Sequence, residues 1–297
     1  MSETPARRGQ LARARQRAGI IFTLPLALLV GGFLAVPMVQ TVYYSFTTWN
    51  GITSTPVGLD NYRHLFADTT FWQVVSNNAI LLASIPLAIL IPLIVAFLLN
   101  EHVVGWRFFR SVYFLPTAIS WVVIGMVAIR VFASEGILNS TLGMIGLGGV
   151  HTDLLSGNST AIIAVIITFI WSVFGTNTII FITGMATLDR EVYEAARVDG
   201  AGAWSTLFYI TIPMLMRFIQ FAFILTVITA FTALFSLIFI MTQGGPGFAT
   251  TTLEFFVFEK GFNTGVFGLA AAIGVVLFLI VVGIWMAQFR VFRHAND

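Results

Sequence analysis

The sequence predicts an all-α membrane protein with six transmembrane helices. Of its 297 residues, 58% are hydrophobic and 9% are charged, and the mean hydropathy is +0.92. About a quarter of the residues of a soluble domain are charged. Apolar runs of about 20 residues, the length that crosses the hydrocarbon core of a bilayer, occur six times. The runs do not alternate apolar and polar residues, which favours helices over the strands of a barrel.

The six runs are predicted to be the membrane spans. They lie near 19–46, 76–99, 110–132, 161–186, 214–241 and 265–289. Prolines interrupt the first three runs, at Pro25, Pro37, Pro86, Pro92 and Pro116. Each proline removes a backbone donor and bends or breaks its helix. Fixed packing kinks and hinges that move during gating are both compatible with this pattern.

The basic residues predict how these helices are oriented. With the N-terminus in the cytoplasm, every lysine and arginine except Arg63, Arg130 and Lys260 lies on the cytoplasmic side. This asymmetry predicts a multi-pass plasma (inner) membrane protein whose two termini are cytoplasmic. The expected organisation is a basic N-terminal tail at 1–17, a membrane domain at 18–289 and a C-terminal tail at 290–297.

Several kinds of chemistry are not supported by the sequence. The chain has no cysteine, and its four histidines fall in separate segments, so we assign it no metal or cofactor. Lys260, the only lysine, is followed by Gly261 rather than Ser or Thr, which excludes a P-loop. No run has an ionisable residue near its middle, which argues against a proton-coupled carrier. The case for a sodium-coupled carrier is only weakened, because carbonyl and hydroxyl groups alone can hold sodium. We therefore expect a transport subunit rather than an enzyme, with any ATPase on another chain.

Residues 189–213 form a polar segment between the fourth and fifth runs, on the predicted cytoplasmic side. They hold four of the thirteen acidic residues. Asp189 can cap a short helix at about 190–199, which Gly200 can end. Helical spacing predicts a partner-facing side with Val192, Ala195, Ala196 and Asp199. The same spacing predicts a second helix, packed on the membrane domain until Pro213, with Trp204, Leu207, Phe208 and Thr211.

The spacing within this segment matches a known signature. Glu194-Ala-Ala is followed by three residues and Gly200, then by nine residues, Ile210, one residue, and Ile212-Pro213. This resembles the EAA signature of permease subunits of binding-protein-dependent ABC importers, which has Leu in place of Ile212. Three further stretches resemble the carbohydrate branch, in particular the first subunit of maltose and glycerol-phosphate permeases: Gly58–Tyr62, Phe109–Pro116 and Thr242–Pro246.

The resemblance implies a type I importer permease core with cytoplasmic coupling helices in an EAA loop at 187–213. It implies three kinds of partner besides the lipid bilayer: a homologous second permease, two ATPase subunits that bind ATP and Mg, and an extracytoplasmic sugar-binding protein. No nucleic acid is expected. The residues expected to couple the permease to the ATPases are Glu194, Ala195, Ala196 and Gly200.

A sugar pathway needs aromatic faces and a few hydroxyl or amide groups in an apolar wall. The fourth and fifth runs offer such residues, and the resemblance places the membrane cavity along them. The expected pathway residues are Trp171, Thr176, Asn177, Phe231, Thr232 and Phe235. Hydroxyl and amide groups inside membrane helices also simply join neighbouring helices, so that role remains open. Contact with the binding protein, or only a tight turn, is expected at Gly244, Gly245 and Pro246.

Two alternatives to a sugar importer permease remain. A self-sufficient secondary carrier would need no ATPase partner. An importer permease for glycerol phosphate would need basic residues near the path, and the runs have none at mid-depth, which favours neutral sugars.

Overall fold

The computed structural model describes residues 5–100, 112–146 and 153–294, and this part of the chain contains helices and no strand. We number the α-helices in chain order. Their bounds are α1 Pro5–Val30, α2 Val36–Tyr44, α3 Asp60–Ala67, α4 Thr69–Ala83, α5 Ile85–Asn100, α6 Trp121–Phe132, α7 Ile137–Met144, α8 Asn158–Met185, α9 Arg190–Val198, α10 Ala203–Thr206, α11 Ile212–Met214, α12 Met216–Met241, α13 Leu253–Phe258 and α14 Phe267–His294. The described chain also has three π-helical turns. Gly31–Ala35 joins α1 to α2, Leu207–Thr211 joins α10 to α11, and Glu259–Asn263 follows α13.

Six helical segments of the described chain are long and apolar enough to cross a membrane, which confirms the predicted fold class. They are Ala18–Tyr44, Thr69–Leu99, Trp121–Met144, Asn158–Met185, Met216–Met241 and Phe267–Arg290. Helix α1 already begins at Pro5, within the segment expected to be a tail, because proline is tolerated in a first helical turn and the following Ala, Arg, Gln and Leu residues favour helix.

The predicted third span, 110–132, is not one continuous helix. Residues 110 and 111 lie outside the described chain, residues 112–114 are helical, and the α-helix resumes at Trp121. Before it, Leu115–Ala118 form a 3-10 turn and Ile119 and Ser120 are extended. Pro116 cannot donate a backbone hydrogen bond, so the helix is interrupted and restarts where the Ser120 side chain accepts from the Val122 N–H at 3.3 Å.

The core of the bundle forms around α8, which contacts α5, α6 and α12. Phe169 and Phe181 of α8 are fully buried, as are Leu234 and Leu237 of α12. These side chains belong to one apolar cluster that continues through α5 and α6. Helix α12 therefore connects the two ends of a closely packed bundle, with residues 189–213 at one end and residues 242–252 at the other.

The first span is held much more loosely than the others. None of the residues in its most apolar window is buried within the chain. Only its last part, α2, packs on α14. Phe22, Phe33 and Val39 expose more than half of their surface. Such a continuous apolar surface is stable in lipid or against another membrane subunit, and it would be unfavourable in water.

A smaller apolar cluster lies at the end of the bundle that carries residues 242–252. Its buried members are Leu65, Phe71, Val74, Leu253, Phe256 and Ile273. Two neighbouring asparagines of α4 connect this cluster to the loop. Asn77 donates to the carbonyls of Phe248 and Thr251, at 2.8 and 3.0 Å, and the Asn78 side chain accepts from the Leu253 N–H at 2.8 Å. The 242–252 loop is therefore fixed to the bundle.

We predict that Gly268→Ala destabilises the contact between α14 and the segment after α2. A Cβ atom at Gly268 would overlap the carbonyl oxygen of Thr47, while the Gly268 N–H donates to Trp49 at 2.9 Å. Because backbone rather than a flexible side chain must move, we expect a loss of about 1–3 kcal/mol. Thermal unfolding of the purified protein in detergent measures the loss.

Gly274→Ala is the matched control on the same helix. An added Cβ there meets only a methyl group of Thr41, at 3.8 Å, which is an ordinary contact. Equal melting temperatures for the two variants would contradict the close approach at Gly268.

Candidate functional site

The EAA segment, residues 189–213, forms a helical hairpin at one end of the bundle. Its first helix, α9, spans Arg190–Val198, close to the predicted 190–199. Asp189 occupies the N-cap position as predicted, but its side chain makes no capping hydrogen bond. The Tyr193 hydroxyl lies 3.3 Å from the Thr211 hydroxyl, which links α9 to the second arm. Tyr193 and Ile212 also pack on the main apolar cluster. These contacts seat both arms of the hairpin on the bundle.

Gly200 ends α9 and turns the chain. Its φ is +78°, a left-handed conformation that glycine adopts without strain. The Gly200 N–H donates to the Arg197 carbonyl at 3.1 Å, and the Ala201 N–H donates to the Ala196 carbonyl at 2.9 Å. This is the Schellman pattern of helix ends. The glycine of the EAA spacing therefore fixes the angle between the two arms.

The exposed face of α9 differs from the predicted one. Ala196 is buried against the chain itself, and Val192 is half-buried. The exposed residues of α9 include Glu194, Ala195 and Val198, with Val198 88% exposed. The small Ala196 side chain thus allows close packing on the bundle rather than on a partner. Of the four predicted coupling residues, Glu194, Ala195 and Gly200 are accessible. Spacing alone missed Val198, because the apolar pattern does not show which side of α9 meets the bundle.

Glu194 forms an ion pair with Arg190 on the same helix. The Arg190 Nε lies 3.1 Å from a Glu194 carboxylate oxygen, and both side chains are largely exposed. An exposed pair of this kind contributes little to stability, about 0.3–0.5 kcal/mol. Glu194 can therefore exchange this partner for another basic group at small cost.

The second arm of the hairpin does not pack as its spacing predicted. Leu207 and Thr211 are buried as expected, but Trp204 is 61% exposed and Phe208 is 48% exposed. The two exposed rings stack on each other with centroids 6.1 Å apart. A π-helical turn covers Leu207–Thr211. Leu207 and Thr211, four residues apart, face the bundle, and Trp204 and Phe208, also four residues apart, lie on the neighbouring exposed face. The bundle-facing side predicted for this arm was therefore too wide.

A cavity of about 230 Å³ opens inside the bundle where the third span is interrupted. Pro116, Thr117 and Ile119 of the interrupted segment form part of its wall. The rest comes from α6, α8 and α12. Irregular backbone at membrane depth is tolerated where it lines a cavity or is buried in protein. Gly175 of α8 permits this arrangement, since an added Cβ would overlap the Tyr113 carbonyl oxygen.

Asn177 and Thr176, two of the predicted pathway residues, both line this cavity. Asn177 is 1% exposed, and its amide donates to the Ala88 carbonyl at 2.9 Å and to the Thr226 hydroxyl at 3.1 Å. It therefore joins α8 to α5 and α12, as intramembrane amides often do. Thr176 is half-buried, and its hydroxyl has no hydrogen bond in the described chain, so it remains available to a ligand.

The other four predicted pathway residues do not line this cavity. Trp171 is 40% exposed on α8, and Thr232 is exposed and donates to the Ile228 carbonyl of its own helix at 2.9 Å. Phe231 packs against the main apolar cluster. Phe235 joins an aromatic group with Phe239 near the far end of α12. The structure thus brings Thr176 and Asn177 together and separates them from the rest of the predicted set.

The loop at 242–252 is ordered by its own threonines. Gly244 has a φ of +81°, and the Thr251 hydroxyl donates to its carbonyl at 2.9 Å. The Thr250 hydroxyl donates to the Gly245 carbonyl, also at 2.9 Å. The bond between Gly245 and Pro246 is cis. The expected tight turn at Gly244, Gly245 and Pro246 is therefore present.

Glu254 is a buried carboxylate just beyond this loop. Neither of its oxygens has a hydrogen-bond partner in the described chain, and the same holds for the Thr252 hydroxyl. Burial raises the pKa of Glu254 to about 7. The Glu254 backbone N–H and the Thr252 hydroxyl lower the pKa in part, although neither is aligned for a hydrogen bond. Sequence reasoning missed this group because it lies outside the apolar runs.

The sequence of this chain is similar to those of a known family of transport proteins. Residues 73–290 match the family described as binding-protein-dependent transport system inner membrane component. The probable ABC transporter permease protein YurN of Bacillus subtilis is 34% identical, over 93% of this chain and 96% of its own length. The multiple sugar-binding transport system permease protein MsmF of Streptococcus mutans is 33% identical, over 87% of this chain and 89% of its own length.

A solved structure shows the same fold. It is a chain of a bacterial ABC transporter involved in the import of the acidic polysaccharide alginate. The two chains superpose with a TM-score of 0.82 and are 20% identical in sequence. The match covers 97% of this chain and 100% of the solved one. The chain therefore belongs to the family of membrane permease components of binding-protein-dependent transport systems, as the EAA spacing predicted.

We predict that Glu254 makes the stability of the protein depend on pH. Because the pKa of the folded state, about 7, lies above the ordinary value of 4.5, the folded state favours the protonated form. The stabilisation is complete below pH 4.5 and is lost as the pH rises through 7. The free energy of unfolding should fall by about 3 kcal/mol across this window from this group alone.

Melting temperatures at pH 5 and pH 8 measure this effect. Glu254→Gln, which stays neutral, should melt at a higher temperature than the wild type at pH 8 and lose most of the difference between the two pH values. The exposed Glu135→Gln is the control. An unchanged pH dependence in Glu254→Gln would show that the carboxylate is not buried in isolation.

Proposed function

We propose that this chain forms half of the translocation pathway of an ATP-driven importer of neutral sugars. The observation that carries the proposal is the pairing of two features across one bundle: a rigid EAA hairpin at one end, and a cavity beside an interrupted helix in the interior. The cavity wall combines hydroxyl, amide and apolar side chains and contains no charged residue, which suits a neutral polar solute. The similarity to MsmF, a permease protein of a multiple sugar-binding transport system, also supports a sugar as the solute.

The partners follow from the family and from what the chain lacks. A binding-protein-dependent system includes a binding protein, which we propose to be extracytoplasmic, and if import is driven by ATP, then ATP and Mg would bind on separate ATPase subunits because this chain has no P-loop. We propose two such ATPases and a homologous second permease. The apolar surface of the first span, unburied within this chain, is suited to lipid or to that second permease.

The basic residues support an inner membrane protein with its EAA hairpin and both termini in the cytoplasm. Under this orientation the membrane domain at 18–289 lies between the tails at 1–17 and 290–297. The 242–252 loop is then extracytoplasmic, and we propose that Gly244, Gly245 and Pro246 contact the binding protein there.

The coupling surface is proposed at the exposed part of α9. Glu194, Ala195 and Gly200 provide an acidic group and small side chains around a fixed turn, and Val198 adds an apolar contact. Both arms of the hairpin are seated on the bundle, so that a force on α9 would move the adjoining ends of α8 and α12. Coupling between separate sites requires an element that contacts both of them, and the hairpin is placed to be that element. Ala196 lies on the buried side of α9, and its role would be to hold this helix on the bundle.

We predict that Glu194→Lys uncouples the assembled transporter. The substitution places two positive charges next to each other on α9 and removes the acidic group from the exposed face. ATPase activity stimulated by the loaded binding protein, measured in nanodiscs, should fall by at least about tenfold, a change equivalent to about 1.4 kcal/mol of lost coupling. Melting temperature should change little, because the exposed Arg190 pair contributes little.

Glu191→Lys is the matched control, since Glu191 is also exposed on α9 and carries the same charge. Equal stimulation in Glu194→Lys and the wild type, with normal uptake, would contradict a coupling role for Glu194.

We also predict that the cavity hydroxyl of Thr176 contacts the solute. Thr176→Val removes the hydroxyl at nearly constant shape, so the half-saturation constant for uptake should rise by about three- to tenfold. Asn177→Ala should in addition lower the melting temperature, because the Ala88 carbonyl loses its buried donor. Thr183→Val, at an exposed position of α8, is the control. Unchanged uptake kinetics in both Thr176→Val and Asn177→Ala would rule out this pathway.

A further inference from the structure

A second cavity lies at the end of the bundle that carries the 242–252 loop. Its volume is about 570 Å³, within the range of small-molecule sites. The far end of α12, the loop, α13 and the π-helical turn Glu259–Asn263 form its walls. The membrane cavity beside Thr176 has a separate set of lining residues, so the two are distinct sites.

Aromatic rings form one side of this second cavity. Phe239, Phe255 and Phe258 line it, and the rings of Phe239 and Phe258 meet edge to face with centroids 5.7 Å apart. Phe235, one turn before Phe239 on α12, lies 5.3 Å from Phe258. The aromatic group therefore extends from the cavity along α12 into the bundle. Flat apolar surfaces of this kind accept the apolar faces of sugar rings.

Three polar side chains line the same cavity. They are those of Gln243, Glu259 and Asn263, and in the described chain none of them makes a hydrogen bond or an ion pair. One carboxylate and two amides supply both acceptors and donors, the combination that neighbouring hydroxyl groups require. The cavity thus offers both aromatic surface and polar groups to one ligand.

The walls are rigid before any ligand binds. Asn77 holds the carbonyls of Phe248 and Thr251, and the Gln73 amide donates to the Gly247 carbonyl at 3.1 Å. Two lining residues, Gln243 and Phe248, have φ values of +50° and +66°. These are the positive-φ residues other than glycine in the described chain. Such conformations are strained and persist only where the surrounding structure enforces them. A preorganised site loses little entropy on binding.

Charge in the cavity selects against acidic ligands. Glu259 is the ionisable residue among the lining residues, and no basic residue joins it there. Lys260, the adjacent cation, is directed to the Phe256 ring, 4.9 Å from its centroid. Phe256 belongs to the buried cluster and is not a lining residue. An anionic sugar or a phosphate would therefore approach a carboxylate without a compensating positive charge.

We propose that this cavity is an entry subsite that binds one ring of a neutral sugar before the sugar reaches the membrane cavity. Phe239 and Phe258 contact the apolar face of the ring, and Gln243, Glu259 and Asn263 bind its hydroxyl groups. The assignment rests on the proposed sugar import and adds a second site and a preference for uncharged rings.

Saturation-transfer NMR on the complete transporter in nanodiscs tests the subsite directly. The probes are methyl α-glucoside and glucuronate, which share a ring and differ in charge. In the wild type, methyl glucoside should give the stronger signal. Phe258→Ala and Asn263→Ala should each weaken it by about fivefold. Phe278→Ala, on an exposed surface of α14, is the control that should leave it unchanged.

Glu259→Gln removes the charge at nearly constant shape and should abolish the selectivity between the two probes. With the charge removed, glucuronate should approach the signal of methyl glucoside. Absence of a methyl glucoside signal from the wild type, equal signals in wild type, Phe258→Ala and Asn263→Ala, or preference of the wild type for glucuronate would each overturn the subsite. ATPase stimulation and uptake by the same complexes test import separately, so a transporter that imports sugar but fails the NMR test refutes the subsite alone.

Discussion

Hydrocarbon offers no hydrogen-bond partner to a backbone amide, and this constraint governs the structure. Each span must close its own backbone hydrogen bonds as a helix. At the interruption between residues 116 and 120, Pro116 is buried and Thr117 and Ile119 are half-buried beside a cavity, with Gly175 of α8 leaving room for the backbone before them. This departure from helical geometry therefore adjoins an interior space. That space is where we place the solute.

The segments at the two ends of α12 are held in place by different contacts. At one end, the EAA hairpin is fixed by the Schellman turn at Gly200 and by the contact between Tyr193 and Thr211. At the other end, threonine hydroxyls and Asn77 fix the 242–252 loop. A continuous helix of 26 residues joins them. Movement of the hairpin can thus be transmitted to the opposite face through a stiff element rather than through a flexible chain.

Much of this arrangement could be predicted from the sequence. Long apolar runs fixed the number of spans because lipid imposes both length and composition. The EAA spacing identified the hairpin, its glycine turn and the family. The errors have local causes. Trp204 and Phe208 lie on an exposed face of the second arm, and Ala196 faces the bundle instead of a partner. Neither outcome follows from helical spacing alone, because the buried side of each helix depends on what it packs against.

The sequence by itself determined the class of protein, since composition, span length and the EAA signature are local properties of the chain. Tertiary structure decided which residues meet. Residues from four separate segments surround Thr176, and Asn177 reaches carbonyl and hydroxyl groups distant in sequence. The aromatic and polar walls around Phe258 likewise come from α12, a loop and a π-helical turn. Such encounters depend on helix packing across long sequence separations, and no local pattern encodes them.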